Sequence, residues 1–94
     1  MNTFVSLYSI KDDEIEKFLK KFSGLDTIIL ETPLKWTKKY ENPVEMADII
    51  AALVDNNDSY NINMWVSIDE GYFINVTKYN VNDIIKYLYE RYPY

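Results

Sequence analysis

Ninety-four residues, 48% of them hydrophobic and only two of them glycine, read as one globular domain over 1–94 and exclude a disordered chain. With no Cys and no His, disulfides, thiolate metal sites, Cys nucleophiles and the commonest acid–base side chain are excluded as well. The formal charge of −5 disfavours loose binding to nucleic acid or to anionic membrane.

Residues 3–8 predict a first strand from their β-branched and aromatic content, with Phe4-Val5 and Leu7-Tyr8 suiting a central position. The first ten residues have no basic start and no long apolar run, so no signal peptide is expected. A helix is predicted over 11–22, where Ile15, Phe18, Leu19 and Phe22 share one stripe. Acids open it and Lys20 and Lys21 close it, as the helix dipole favours. Ser9 or Asp12 is the expected N-cap, and Gly24 the stop. Residues 27–31 form the second predicted strand, and Pro33 marks it as an edge strand or as ending there. Residues 34–40 lack periodicity and hold Lys35, Trp36, Lys38 and Lys39, the basic stretch of the chain, read as a surface loop with a buried Trp.

The segment Asn42-Pro43-Val44-Glu45 is a strong helix start, with Asn as cap, Pro first and Glu third. Met46, Ile49, Ile50 and Leu53 follow as an apolar stripe, and Asn56-Asn57 is the expected end. Residues 59–77 then alternate polar and apolar on both sides of Asp69-Glu70-Gly71, which predicts a β-hairpin with one buried face. A three-residue loop sets Ile68 opposite Tyr72, Val66 opposite Ile74 and Met64 opposite Val76. Tyr60 and Ile62 extend that buried set, while Asn61, Asn63, Trp65, Ser67, Phe73, Asn75 and Thr77 fall on the other face. Asn80 is the expected cap of a last helix with an apolar stripe of Val81, Ile84, Ile85, Leu88 and Tyr92, stopped by Pro93.

The expected fold is α+β, a two-layer sandwich in the order β-α-β-α-β-β-α. Its four-stranded mixed sheet would carry three helices on one face, with a hairpin plus helix at the C-terminal end. The expected strand order sets the first strand beside the third, with the second and fourth at the edges.

The residues argue against catalysis. Two isolated glycines build no phosphate loop, and no Ser lies in a nucleophile-elbow context. No enzyme activity, metal or cofactor is therefore expected. Asp55-Asn56-Asn57-Asp58 suggests a calcium loop, but Tyr60 and Val66 stand where an EF-hand needs Gly and Glu. Glu41, Glu45, Asp48 and Asp55 line one side of the second helix, a candidate dock for a basic protein weighed against an ordinary solvated face. The chain between residues 41 and 70 holds seven acids and no base, which favours a basic partner.

Trp65 and Phe73, framed by Asn63 and Asn75, are the strongest candidate site, because an aromatic-plus-amide surface suits protein recognition. The bland alternatives are a cover formed by Trp36 and residues 34–40, or a second copy pairing through that face. The expectation is a cytoplasmic, non-enzymatic regulator, inhibitor or immunity-type domain that binds a protein partner and no membrane. The alternative is a small-ligand or single-stranded nucleic-acid binder that stacks its ligand on those aromatics.

Overall fold

The computed structural model describes residues 2–24, 27–31, 43–69 and 72–91, with Tyr8, 43–45, 68–69 and Arg91 described by backbone alone. It is α+β, with a four-stranded mixed sheet and three helices. The strands are β1 (Asn2–Ser6), β2 (Thr27–Glu31), β3 (Met64–Asp69) and β4 (Tyr72–Asn75). The helices are α1 (Ile15–Phe22), α2 (Pro43–Asn56) and α3 (Val81–Arg91).

The sheet order is β1-β2-β3-β4, which corrects the expected arrangement. β1 pairs with β2 in parallel from Asn2 opposite Thr27 to Ser6 opposite Glu31. β2 pairs with β3 in parallel, with Ile28 opposite Met64 and Leu30 opposite Val66. β2 is therefore central and β1 is an edge, the reverse of both expectations. The physical reason lies in β2 itself. Ile28, Ile29 and Leu30 are consecutive and all buried, so both faces of this strand are covered, as central parallel strands require. Pro33, the residue that suggested an edge, lies outside the described residues.

β1 is also shorter than expected. It ends at Ser6, and Leu7–Ser9 forms a 3₁₀ turn in which Ser9 Oγ donates to Ser6 O at 2.7 Å. Leu7 is apolar because that turn drops it into the core, not because a strand continues. The predicted helix over 11–22 divides into a 3₁₀ turn, Asp12–Glu14, and α1. Neither segment has a side-chain cap at its start, so neither Ser9 nor Asp12 has the role expected of it. Gly24, at φ +90°, follows the helix in the left-handed region that glycine tolerates best.

The predicted hairpin is present, but its first strand is shorter than expected. Residues 57–59 form a 3₁₀ turn, and Asn61 sits at φ +53°. Asn57 holds this turn closed. Its Nδ2 donates to Ile62 O at 2.8 Å, and its Oδ1 accepts from Ile62 N at 2.9 Å. Tyr60 and Ile62 still contribute to the core, so their spacing reports burial without strand pairing. The Tyr60 hydroxyl donates to Glu16 Oε1 at 3.4 Å.

β3 and β4 are antiparallel, with Val66 opposite Ile74 as expected, and Val76 N donates to Met64 O at 2.9 Å. A bulge between Ser67 and Asp69 places Asp69, not Ile68, opposite Tyr72. That corrects the three-residue loop, whose remaining residues Glu70 and Gly71 lie outside the described residues. Asn80 stands at the cap position of α3, where its C=O accepts from Ile84 N at 3.1 Å, and its side chain reaches back toward β4. Its Oδ1 accepts from Thr77 N and its Nδ2 donates to Asn75 O, both at 2.8 Å, which ties the helix start back to β4. The expected stop at Pro93 lies outside the described residues.

One buried cluster joins Ile28, Leu30, Met64, Val66 and Val76 from the sheet side to Ile15 and Leu19 of α1, Ile49, Ile50 and Leu53 of α2, and Ile84 and Leu88 of α3. α2 packs against both other helices. Ala47 and Val54 are buried too, beyond the predicted stripe, because both flanks of this helix are covered. Among the described residues no helix is long and apolar enough to cross a membrane.

Candidate interaction surface on the sheet

Residues opposite one another in register share a face of the sheet. The registers define two rows on the face away from the buried cluster. Phe4, Ile29, Trp65 and Asn75 form one, and Ser6, Glu31, Ser67 and Phe73 form the next. Phe4 and Phe73 thus stand on opposite edge strands, three strand spacings or about 14 Å apart across the sheet and one row apart along it. Their ring centroids are nevertheless 6.5 Å apart, edge to face at 66°. Both side chains must lean inward over the two central strands to meet. Ile29, opposite Phe4 and Trp65 in the same row, is only 7% exposed and lies outside the core cluster.

The rings themselves stay open. Phe4 is 56% exposed and Phe73 42%, while Trp65 is half-buried beside Ile29. Two exposed phenylalanine rings in contact make a small apolar patch on this face. Phe4 and Ile29 were not among the sequence candidates. The alternation of Asn2-Thr3-Phe4-Val5-Ser6 separates Phe4 from Val5, but only the β1–β2 register shows that Phe4 belongs with Trp65 and Phe73.

The amides are largely committed to the fold. Asn75 Nδ2 donates to Asn63 Oδ1 at 3.0 Å and to Met64 O at 2.8 Å. Asn63 Nδ2 donates to Thr27 Oγ1 at 3.3 Å. These bonds hold the three strands in register where the ladder begins. They leave Asn75 Oδ1 without a partner among the described residues. Asn63 and Asn75 also border a cleft of 430 Å³ at that end of the sheet, shared with Asp58, Asn61 and Tyr79.

The strands carry no Lys or Arg, and Glu31 is the charge in the central rows of this face. The acidic stripe is less continuous than expected. Asp48 and Asp55 are exposed on α2, but Ala52 between them packs against the core. The backbone of Glu45 lies in the first turns of α2, and its side chain is among those outside the description, as is Glu41 altogether. The site residues therefore fall into two groups: Trp65, Phe73, Asn63 and Asn75 share the sheet face, and Asp48 lies on a helix elsewhere. Trp36 and residues 34–40, the expected alternative cover for the face, lie outside the described residues.

Among the described residues no three acidic side chains gather closely enough to share a metal ion. No family model matches the chain, and neither a curated protein nor a solved structure matches it.

Proposed function

We propose that this chain is a non-enzymatic protein-interaction domain, a regulator, inhibitor or immunity-type protein, whose recognition surface is the Phe4–Phe73–Trp65 face of the sheet. The reading treats the three helices as one layer on the core side, which leaves the opposite face for a partner. The observation that carries it is the pair of half-exposed phenylalanine rings meeting edge to face on the side of the sheet away from the core cluster. Covering what remains open of each ring contributes about 2–3 kcal/mol, enough for the two to act as binding hot spots. The partner is a protein with an apolar patch and a basic group placed to meet Glu31. Such a contact has an apolar centre and a single charge, so its affinity falls only modestly as salt rises.

The test is capture of a partner on the immobilised chain at low and moderate salt. Trp65→Ala with Phe73→Ala abolishes capture on this reading, while Glu45→Lys with Asp48→Lys weakens only a salt-sensitive component. Unchanged capture with both variant pairs refutes it. A second reading, a small-ligand or single-stranded nucleic-acid binder, is favoured by the 430 Å³ cleft, where Tyr79 stands exposed with Lys78 Nζ 5.5 Å from its ring. The lack of basic residues on the strands weighs against it. Titration with short single-stranded oligonucleotides, read by Trp fluorescence, separates the two: saturable quenching at low salt supports the second reading.

A further inference from the structure

A groove of 300 Å³ lies where β1 and its following turn meet α1, and its charge is opposite to that of the whole chain. Lys11, Lys17 and Lys21 line it against one acid, Glu14. Asp12, Asp13 and Glu16 are close in sequence but do not line it, and Glu16 accepts from the Tyr60 hydroxyl instead. The groove therefore carries a net charge of +2 in a chain of −5. Neither Lys11 nor Lys17 has an ion-pair partner among the described residues, and Lys21 Nζ stands 5.4 Å from the Phe22 ring.

The rest of the lining is apolar. Lys17 and Lys21, like Phe18 and Phe22, are four residues apart and so lie one above the other along α1. Phe18 and Phe22 have ring centroids 4.7 Å apart and stay only partly buried, because Ile15 and Leu19 take the core side of the helix. Val5 and Ile10 complete the apolar lining. Val5 alternates with Phe4 along β1, so it faces away from the Phe4–Phe73 pair.

We propose that this groove binds a small amphiphilic carboxylate, a short acyl or aryl chain that lies against Phe18 and Phe22 and directs its carboxylate to Lys11 and Lys17. A neutral apolar ligand would cover unpaired cations without answering their charge, which costs free energy. A polyanion or an anionic membrane would meet the −5 of the whole chain, whereas one carboxylate leaves that field almost unchanged. Glu14 on the rim opposes a dianion. The volume is at the lower end of the range of about 300–1,000 Å³ for small-ligand sites, which suits a short chain. The groove is separate from the Phe4–Phe73–Trp65 face, so neither reading depends on the other.

The probe is octanoate, used below its micelle concentration and followed by NMR on the labelled full chain. Octanoate shifts the amides of β1 and α1 saturably. Octylamine, the same chain with the opposite charge, binds about tenfold more weakly. Shortening the chain to hexanoate weakens binding by up to about fourfold for each methylene withdrawn from the groove. Lys11→Gln with Lys17→Gln weakens octanoate by about fivefold and removes its advantage over octylamine. Both lysines are exposed, so the fold survives the change. Trp65→Ala with Phe73→Ala leaves octanoate binding unchanged. The absence of a saturable shift overturns the proposal. So do shifts centred outside the groove, octylamine binding as tight as octanoate, an affinity unmoved by the lysine pair, or binding to anionic phospholipid vesicles with none to free octanoate.

Discussion

Asn57→Ala tests whether one side chain holds the connection between α2 and β3. The Asn57 amide makes two bonds to the backbone of Ile62, one accepted and one donated, in a part-buried setting. Each is worth about 0.5–1.5 kcal/mol net, and alanine leaves both Ile62 groups unpaired, so the loss is about 2 kcal/mol. For a chain of this size that is a fall in Tm of about 8–16 °C. In urea the midpoint drops while the slope is unchanged, because the surface exposed on unfolding is the same. Asn57→Asp divides the effect. The carboxylate still accepts from Ile62 N but cannot donate to Ile62 O. Protonation restores a donor, so the folded state favours the protonated form and raises that carboxyl's pKa. The deficit relative to wild type is then smallest below the ordinary Asp value near pH 4 and grows as pH rises through the raised folded value. An Asn57→Ala variant that melts within about 2 °C of wild type would mean that the turn is held by the burial of Ile62 alone.

Hydrogen exchange tests the strand order. Amides of β2, flanked by strands on both sides, exchange more slowly than those of β1, which has one neighbouring strand among the described residues. Equal protection of β1 and β2 contradicts a central β2. Tyr60 gives a pH signature. Its hydroxyl is pushed above the usual value near 10 by loss of solvent first, and then by the charge of Glu16 and the hydrogen bond to it. The neutral phenol is thus the form the fold favours. Its contribution is full below the unfolded value near pH 10 and is lost as pH rises through the higher folded value. Tyr60→Phe therefore narrows its stability difference from wild type in strongly alkaline solution, measured by urea midpoints across that range. A constant difference would show that the hydroxyl has no linked role.

Much of the local structure was legible. β2 begins and ends where Thr27-Ile28-Ile29-Leu30-Glu31 indicated, and α2 starts at Pro43 as its position after Asn42 implied. The stripes Met46-Ile49-Ile50-Leu53 and Ile84-Leu88 are buried, since a period of 3.6 residues is enforced by the helix itself. Other features depended on neighbours far along the chain. Asn80 has the residue type of a cap, yet its amide faces Thr77 and Asn75, because β4 ends close enough to compete for it. Residues 60 and 62 alternate in burial like a strand, but the Asn57 clamp delays pairing until Met64. Of the candidate surface, Trp65 and Phe73 were visible in the hairpin pattern. Phe4 and Ile29 were not, because a two-residue period assigns faces within one strand and says nothing about which strand lies beside it.

The sequence by itself determined where the apolar faces lie, which segments turn and which are acidic, since these follow from residue type at fixed spacing. Only the tertiary structure decided that β2 is central, that β1 is an edge strand among the described residues, and that phenylalanines 69 residues apart in the chain meet. Strand order is a competition among non-local pairings of similar local propensity. It is resolved by which strand has both faces to bury, and here only β2, with three consecutive buried apolar residues, needs cover on both.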